Sequence, residues 1–119
     1  MIIFEEKKME TYRIWYDAQA GIVRMHWKGY ANSQQFREGT RRMLEVLKEA
    51  KATVVLGDIT DMILISQDDQ QWLIENFLPV AIDAGFRAIA LLKPQHYFNK
   101  VAVETIVFSF IDFNDALNN

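Results

Sequence analysis

The sequence predicts an α/β domain whose sheet is open and mixed, beginning with an antiparallel hairpin and continuing in β-α-β-α-β units. Three observations predict it. Two runs dense in aromatic and β-branched residues, 12–17 (YRIWYD) and 22–28 (IVRMHWK), are separated by Ala-Gln-Ala-Gly, with Gly21 suited to the turn. An apolar stripe at three- and four-residue spacing then runs to about Ala50. Two further apolar runs, 53–59 (TVVLGDI) and 87–93 (RAIALLK), follow with a second helical pattern between them.

Length and composition bound the rest. A chain of 119 residues is one domain, read as 1–119 with 1–10 an irregular leading segment. Hydrophobic residues at 50% and charged residues at 24% are ordinary globular composition and argue against disorder. Thirteen Lys and Arg against sixteen Asp and Glu leave −3, which removes the electrostatic case for a nucleic-acid binder. With no Cys there is no disulfide, thiolate nucleophile or Cys-ligated metal. No apolar stretch approaches the ~18 residues of a membrane span, and MIIFEEKKME carries acids where a signal peptide would be basic. A cytoplasmic domain without membrane insertion is expected.

The elements follow in order. Along the second strand Val23, Met25 and Trp27 alternate with Arg24, His26 and Lys28, so one face is packed and the other partly wet. Asn32 or Ser33 caps the first helix, whose stripe is Phe36, Met43, Leu44, Leu47 and Ala50. Gly39 costs that helix about 1 kcal/mol against Ala and suits close approach to a sheet. Residues 53–59 read as a buried central strand, apolar on both faces up to Asp58. Ser66 begins the second helix, with Asp68 and Asp69 where the helix dipole favours acids. Pro79 falls inside that helix and predicts a kink over residues 76–79, and Gly85 supplies its C-terminal cap. Residues 87–93 form another strand, closed by Pro94. Beyond it, 96–104 suit a short helix and 105–111 (TIVFSFI) a last strand, with 112–114 capping a short terminal helix. Right-handed crossovers should join the parallel strands and cover the sheet mainly on one side.

The chemistry-bearing residues are few. Asp58 and Asp61 sit where the central strand is expected to run out, the usual place for ligands in open α/β sheets. A cation or acid–base role is open to them, but with no third ligand or nucleophile nearby, capping and solvation are the simpler roles. His96 follows another strand's carboxyl end and would line the same rim, whereas His26 sits on the wet side of its strand. Trp72, if exposed, would anchor a partner. There is no GxGxxG, Walker-type loop, HExxH or Ser elbow, so no cofactor, metal or catalytic set is expected. Residues 52–86 contain no Lys, Arg or His, while the preceding helix is rich in Arg and Lys. Together with the aromatic surplus, that charge split predicts self-association as a homodimer.

WKGYANSQQF at the hairpin's end, VVLGDITDM at the central strand and QQWLIENFLPVAIDAGFRAIAL after it carry a family resemblance. Over residues 12–98 the pattern resembles small bacterial STAS-like proteins related to anti-sigma-factor antagonists, discussed alongside CRAL-TRIO-type lipid-binding folds. The resemblance implies a STAS-like fold and a phosphorylatable Ser at the helix start after the central strand, in an Asp-Ser-(Ser/Thr)-Gly motif. Ser66 holds a similar position, but the Asp-Ser and Gly neighbours are missing and Asp68 and Asp69 would repel a phosphate. A structural cap is therefore the favoured role.

Two functions follow as expectations. The first is a non-catalytic regulatory or protein-interaction module using Asp61, Ser66 and Trp72 toward a protein partner. The alternative is a carrier with an apolar small molecule or lipid lodged between the sheet and residues 77–82. An apolar cavity of several hundred Å³ would favour the carrier, and a filled core with an exposed Trp72 the module.

Overall fold

The computed structural model describes residues 7–8, 11–63, 65–94 and 106–112. Strands β1 (Lys7–Lys8), β2 (Tyr12–Asp17) and β3 (Ile22–Gly29) come first, followed by helix α1 (Ser33–Ala50) and strand β4 (Val54–Met62). Helix α2 (Gln67–Trp72) passes through a π turn (Leu73–Phe77) into α3 (Leu78–Asp83), and strands β5 (Ala88–Pro94) and β6 (Ile106–Asp112) complete the chain. The six strands lie side by side in sequence order. β3, β4 and β5 run parallel, and β1, β2 and β6 are antiparallel to their neighbours. The expected α/β architecture with an open mixed sheet is what the chain adopts. Among the described residues no helix is long and apolar enough to cross a membrane.

The core lies on one side of the sheet. Ile14, Val23 and Val55 on adjacent strands are fully covered and meet Met43, Val46 and Leu47 of α1. Phe77, Ala81 and Phe86 extend the same layer, so both helical connections pack on one face. On the other face Leu56 of β4 is only partly covered, and no helix crosses there among the described residues.

Several boundaries differ from those expected, for local reasons. Lys7–Lys8 adds a short edge strand within the segment expected to be irregular. β4 continues past Ile59 to Met62 through a bulge, so Asp58 lies mid-strand and not at a carboxyl end. Over the bulge, β3 advances from His26 to Lys28 while β4 advances from Asp58 to Asp61, one residue more. Residues 106–112 form the last strand, antiparallel to β5, while the helices expected at 96–104 and after 112 fall outside the described residues.

Pro79 does interrupt its helix, in a particular way. With no N–H it cannot bond to the carbonyl four residues back. The chain absorbs this one turn earlier, where the Leu78 N–H bonds to the Leu73 carbonyl five residues back and Pro79 falls in the first turn of α3. Gly85, at φ +115°, then closes α3 as the sequence suggested. Its N–H bonds to Ile82 and the Phe86 N–H to Ala81, the paired bonds of a Schellman motif.

Candidate functional site

The seam between α1 and α2 is built from polar groups the sequence places 30 or more positions apart. Asn32, not Ser33, caps α1, in a capping box with Gln35. Ser33 is thereby free to donate its hydroxyl to Asp69, at 3.0 Å. One helical turn on, Arg37 Nε donates to the other Asp69 oxygen at 3.1 Å. Asp69 is only 3% exposed, and a carboxylate so buried requires such partners. Its own N–H donates to the Ser66 hydroxyl at 3.1 Å, so Ser66 is the N-cap of α2. The Arg37–Asp69 pair also joins the basic helix to the acidic segment within one chain, which weakens the charge argument for a dimer.

Beside this seam runs a ladder of five rings, Tyr12, Trp27, Phe36, Trp72 and Phe77, with centroids 5.1 to 6.4 Å apart. It absorbs much of the aromatic surplus. The guanidinium groups of Arg37 and Arg41 stand 5.2 and 5.3 Å from the Trp72 ring. Trp72 is 9% exposed, so it is a core ring and not an exposed anchor. At the ladder's other end the Tyr12 hydroxyl donates to Glu38 at 3.1 Å. Burial, with that carboxylate beside it, pushes the phenol up to about 12.

Between the sheet and this roof lies a cavity of about 400 Å³. Met25, Ile59, Ile89 and Leu91 form its floor, and Phe36 and Met43 of α1 part of its roof. The π turn contributes Leu73, Ile74 and Phe77, so the backbone adjustment before Pro79 shapes one wall. Midway across the floor, Gly57 pairs with Met25 on one side and Leu91 on the other. A Cβ there would stand 3.1 Å from Leu91 Cδ2 and 3.3 Å from Met25 Cε, so the missing side chain keeps that stretch of floor low. Polar lining is sparse. The Thr40 hydroxyl is spent on the Phe36 carbonyl at 2.7 Å, and the Gln70 amide donates to the Ile65 carbonyl at 2.8 Å. Lys93 is the one ionisable side chain in the lining among the described residues.

The residues singled out from sequence do not assemble into one rim. Asp58 turns back on its own strand, accepting from the Thr60 N–H at 3.0 Å and the Thr60 hydroxyl at 2.6 Å. Asp61 lies 2.9 Å from His26 Nε2, a contact made possible by the bulge between them. Neither carboxylate lines the cavity. Ser66 is occupied as a cap, and Trp72 is buried in the roof. His96 lies outside the described residues. Among the described residues no three His, Asp or Glu side chains converge as a metal site would require. The sequence reading missed Asp69 as a hub, and with it Gly57 and Lys93. Gly57 had a visible signal, a glycine interrupting an otherwise β-branched strand.

No protein-family model, curated protein or solved structure matches this chain.

Proposed function

We propose that this domain is a binding protein for a small apolar molecule, held between the sheet and the α1–π-turn roof. The observation that carries the reading is the cavity of about 400 Å³ with almost wholly apolar walls. Ligand sites usually take that form, apolar with a few placed polar groups. Allowing about 30 Å³ per water-sized unit, the space holds a body of roughly a dozen carbon atoms. Burying a dozen methylenes at about 0.8 kcal/mol each gains about 10 kcal/mol. Association costs of at least about 4 kcal/mol leave an affinity no tighter than on the order of tens of micromolar. The resemblance to STAS-like proteins, through the lipid-binding folds discussed with them, points the same way.

The regulatory or protein-interaction reading relied on an exposed Trp72, and that ring is under Arg37 and Arg41. Homodimerisation keeps its own test, in which a monomer mass by light scattering across micromolar concentrations removes it.

For the carrier reading, native mass spectrometry of the purified protein should show a bound small molecule or take one up from medium-chain alcohols. Gly57→Leu fills the floor and should abolish uptake with the fold retained by circular dichroism. Uptake that survives in folded Gly57→Leu would show that the ligand sits elsewhere.

A further inference from the structure

Trp27 lines the cavity and is 2% exposed. Tyr12 and Phe36 pack against its ring at 5.1 and 5.5 Å between centroids, and its benzo edge faces Gly39 of α1. A tryptophan so deep in a protein ordinarily gives its indole N–H to an acceptor, because the donor loses its water on burial. Here no acceptor takes it among the described residues. The other neutral polar groups of the lining, Thr40 and Gln70, spend their hydrogen bonds on backbone carbonyls. Nor is the indole nitrogen sealed in protein. Among the described residues Arg42 Nε is the one side-chain nitrogen or oxygen that is both sealed and unpaired. The indole nitrogen therefore borders open space, and the space that Trp27 lines is the cavity, not the neighbouring cleft at Tyr12 and Arg42.

Resting on the carrier reading above, we infer that the ligand carries a neutral carbonyl oxygen that accepts the Trp27 N–H while its hydrocarbon part fills the remaining space. A desolvated donor with no acceptor favours a ligand that brings lone pairs over a pure hydrocarbon, since only the former makes the missing hydrogen bond. Indole is a donor only, so a hydroxyl at that point would leave its own proton to be satisfied, whereas a carbonyl brings none. An ionised head is disfavoured at that depth, because shedding its water costs far more than one neutral N–H returns. Ketones and esters share the required chemistry.

The experiment follows the indole N–H signals of isotope-labelled protein, which come from Trp15, Trp27 and Trp72 alone. The Trp27 signal is assigned by its nuclear Overhauser contacts to Tyr12 and Phe36. The probes are 2-decanone, methyl nonanoate and 2-methyl-1-decene, in which a methylene group replaces the ketone oxygen. At least one of the two carbonyl compounds should move the Trp27 proton downfield, the direction of a new hydrogen bond, and slow its exchange with water. The alkene should do neither. Trp15, which alternates with the buried Ile14 and so lies on the other face of the sheet, should stay put throughout. The carbonyl compound with the larger shift names the class. The ratio of its affinity to that of the alkene should fall about fivefold in Trp27→Phe, the worth of one net hydrogen bond, while packing losses weaken both ligands and cancel. If the carbonyl compounds and the alkene bind but leave the Trp27 proton alike, the acceptor assignment is overturned while the apolar cavity stands. An unchanged ratio in folded Trp27→Phe would overturn it too. If none of the three binds, the carrier reading fails and this inference with it.

Discussion

Gly39 of α1 lies against the indole of Trp27 on β3 so closely that a Cβ would stand 2.5 Å from Cη2 and 3.0 Å from Cζ2. Trp27 packs against Tyr12 and Phe36, so moving its ring aside disturbs both contacts. Gly39→Ala therefore sets two effects against each other. Helix propensity favours Ala by about 1 kcal/mol, while overpacking a filled core costs about 1–3 kcal/mol. Overpacking should win, lowering the unfolding free energy by a net amount of up to about 2 kcal/mol, read as a lower urea midpoint. An unchanged or raised midpoint would show that α1 can lift off the sheet at little cost.

Asp69 and Arg37 should be energetically coupled. Removing Arg37 leaves the buried carboxylate with Ser33 as its one side-chain donor among the described residues, and removing Asp69 strands a guanidinium on a side chain 34% exposed. Because Arg37 is partly solvated, the coupling in an Arg37→Ala/Asp69→Ala cycle should be about 1–3 kcal/mol, short of a fully buried pair. Additive single effects in urea unfolding would contradict the hub role of Asp69.

Ser66→Ala should cost about 0.5–2 kcal/mol, the worth of an N-cap that accepts from the Asp69 N–H. Ser66→Asp can keep that acceptor but adds a charge beside Asp68 and Asp69. Both variants should leave ligand uptake intact, because Ser66 is not in the cavity lining. Loss of uptake in folded Ser66→Asp alone would point to a switch at this position.

The raised phenol of Tyr12 makes an alkaline prediction. Its folded-state pKa of about 12 lies above the ordinary 10, so folding favours the protonated form. The contribution is complete below pH 10 and is lost as the pH climbs from about 10 toward about 12. Wild type should lose stability over that window more steeply than Tyr12→Phe, as followed by chemical unfolding. Parallel pH profiles would mean that Tyr12 ionises freely in the folded chain.

Much of the architecture could be read from local pattern, because alternation and helical spacing are properties of short stretches of chain. Val23, Met25 and Trp27 announced a buried face two residues apart, Gly39 a close approach and Pro79 an interruption, and the structure places each accordingly. Periodicity does not say where a strand gains an extra residue. On a regular strand, positions 58 and 61 fall on opposite faces, and it took the bulge against β3 to bring Asp61 to His26. Nor did Asp69 differ from Asp68 in sequence, since both are acids in a helix's first turn. Only the crossing of α1 over α2 buries one and leaves the other in water. From residue 12 to residue 93 the sequence by itself determined the order of elements and the face each would bury, as these follow from side-chain direction along one segment. The tertiary structure alone decided that a void remains between those faces and that the Trp27 indole borders it. A cavity is the volume left when segments distant in the chain pack, and no single segment carries its shape.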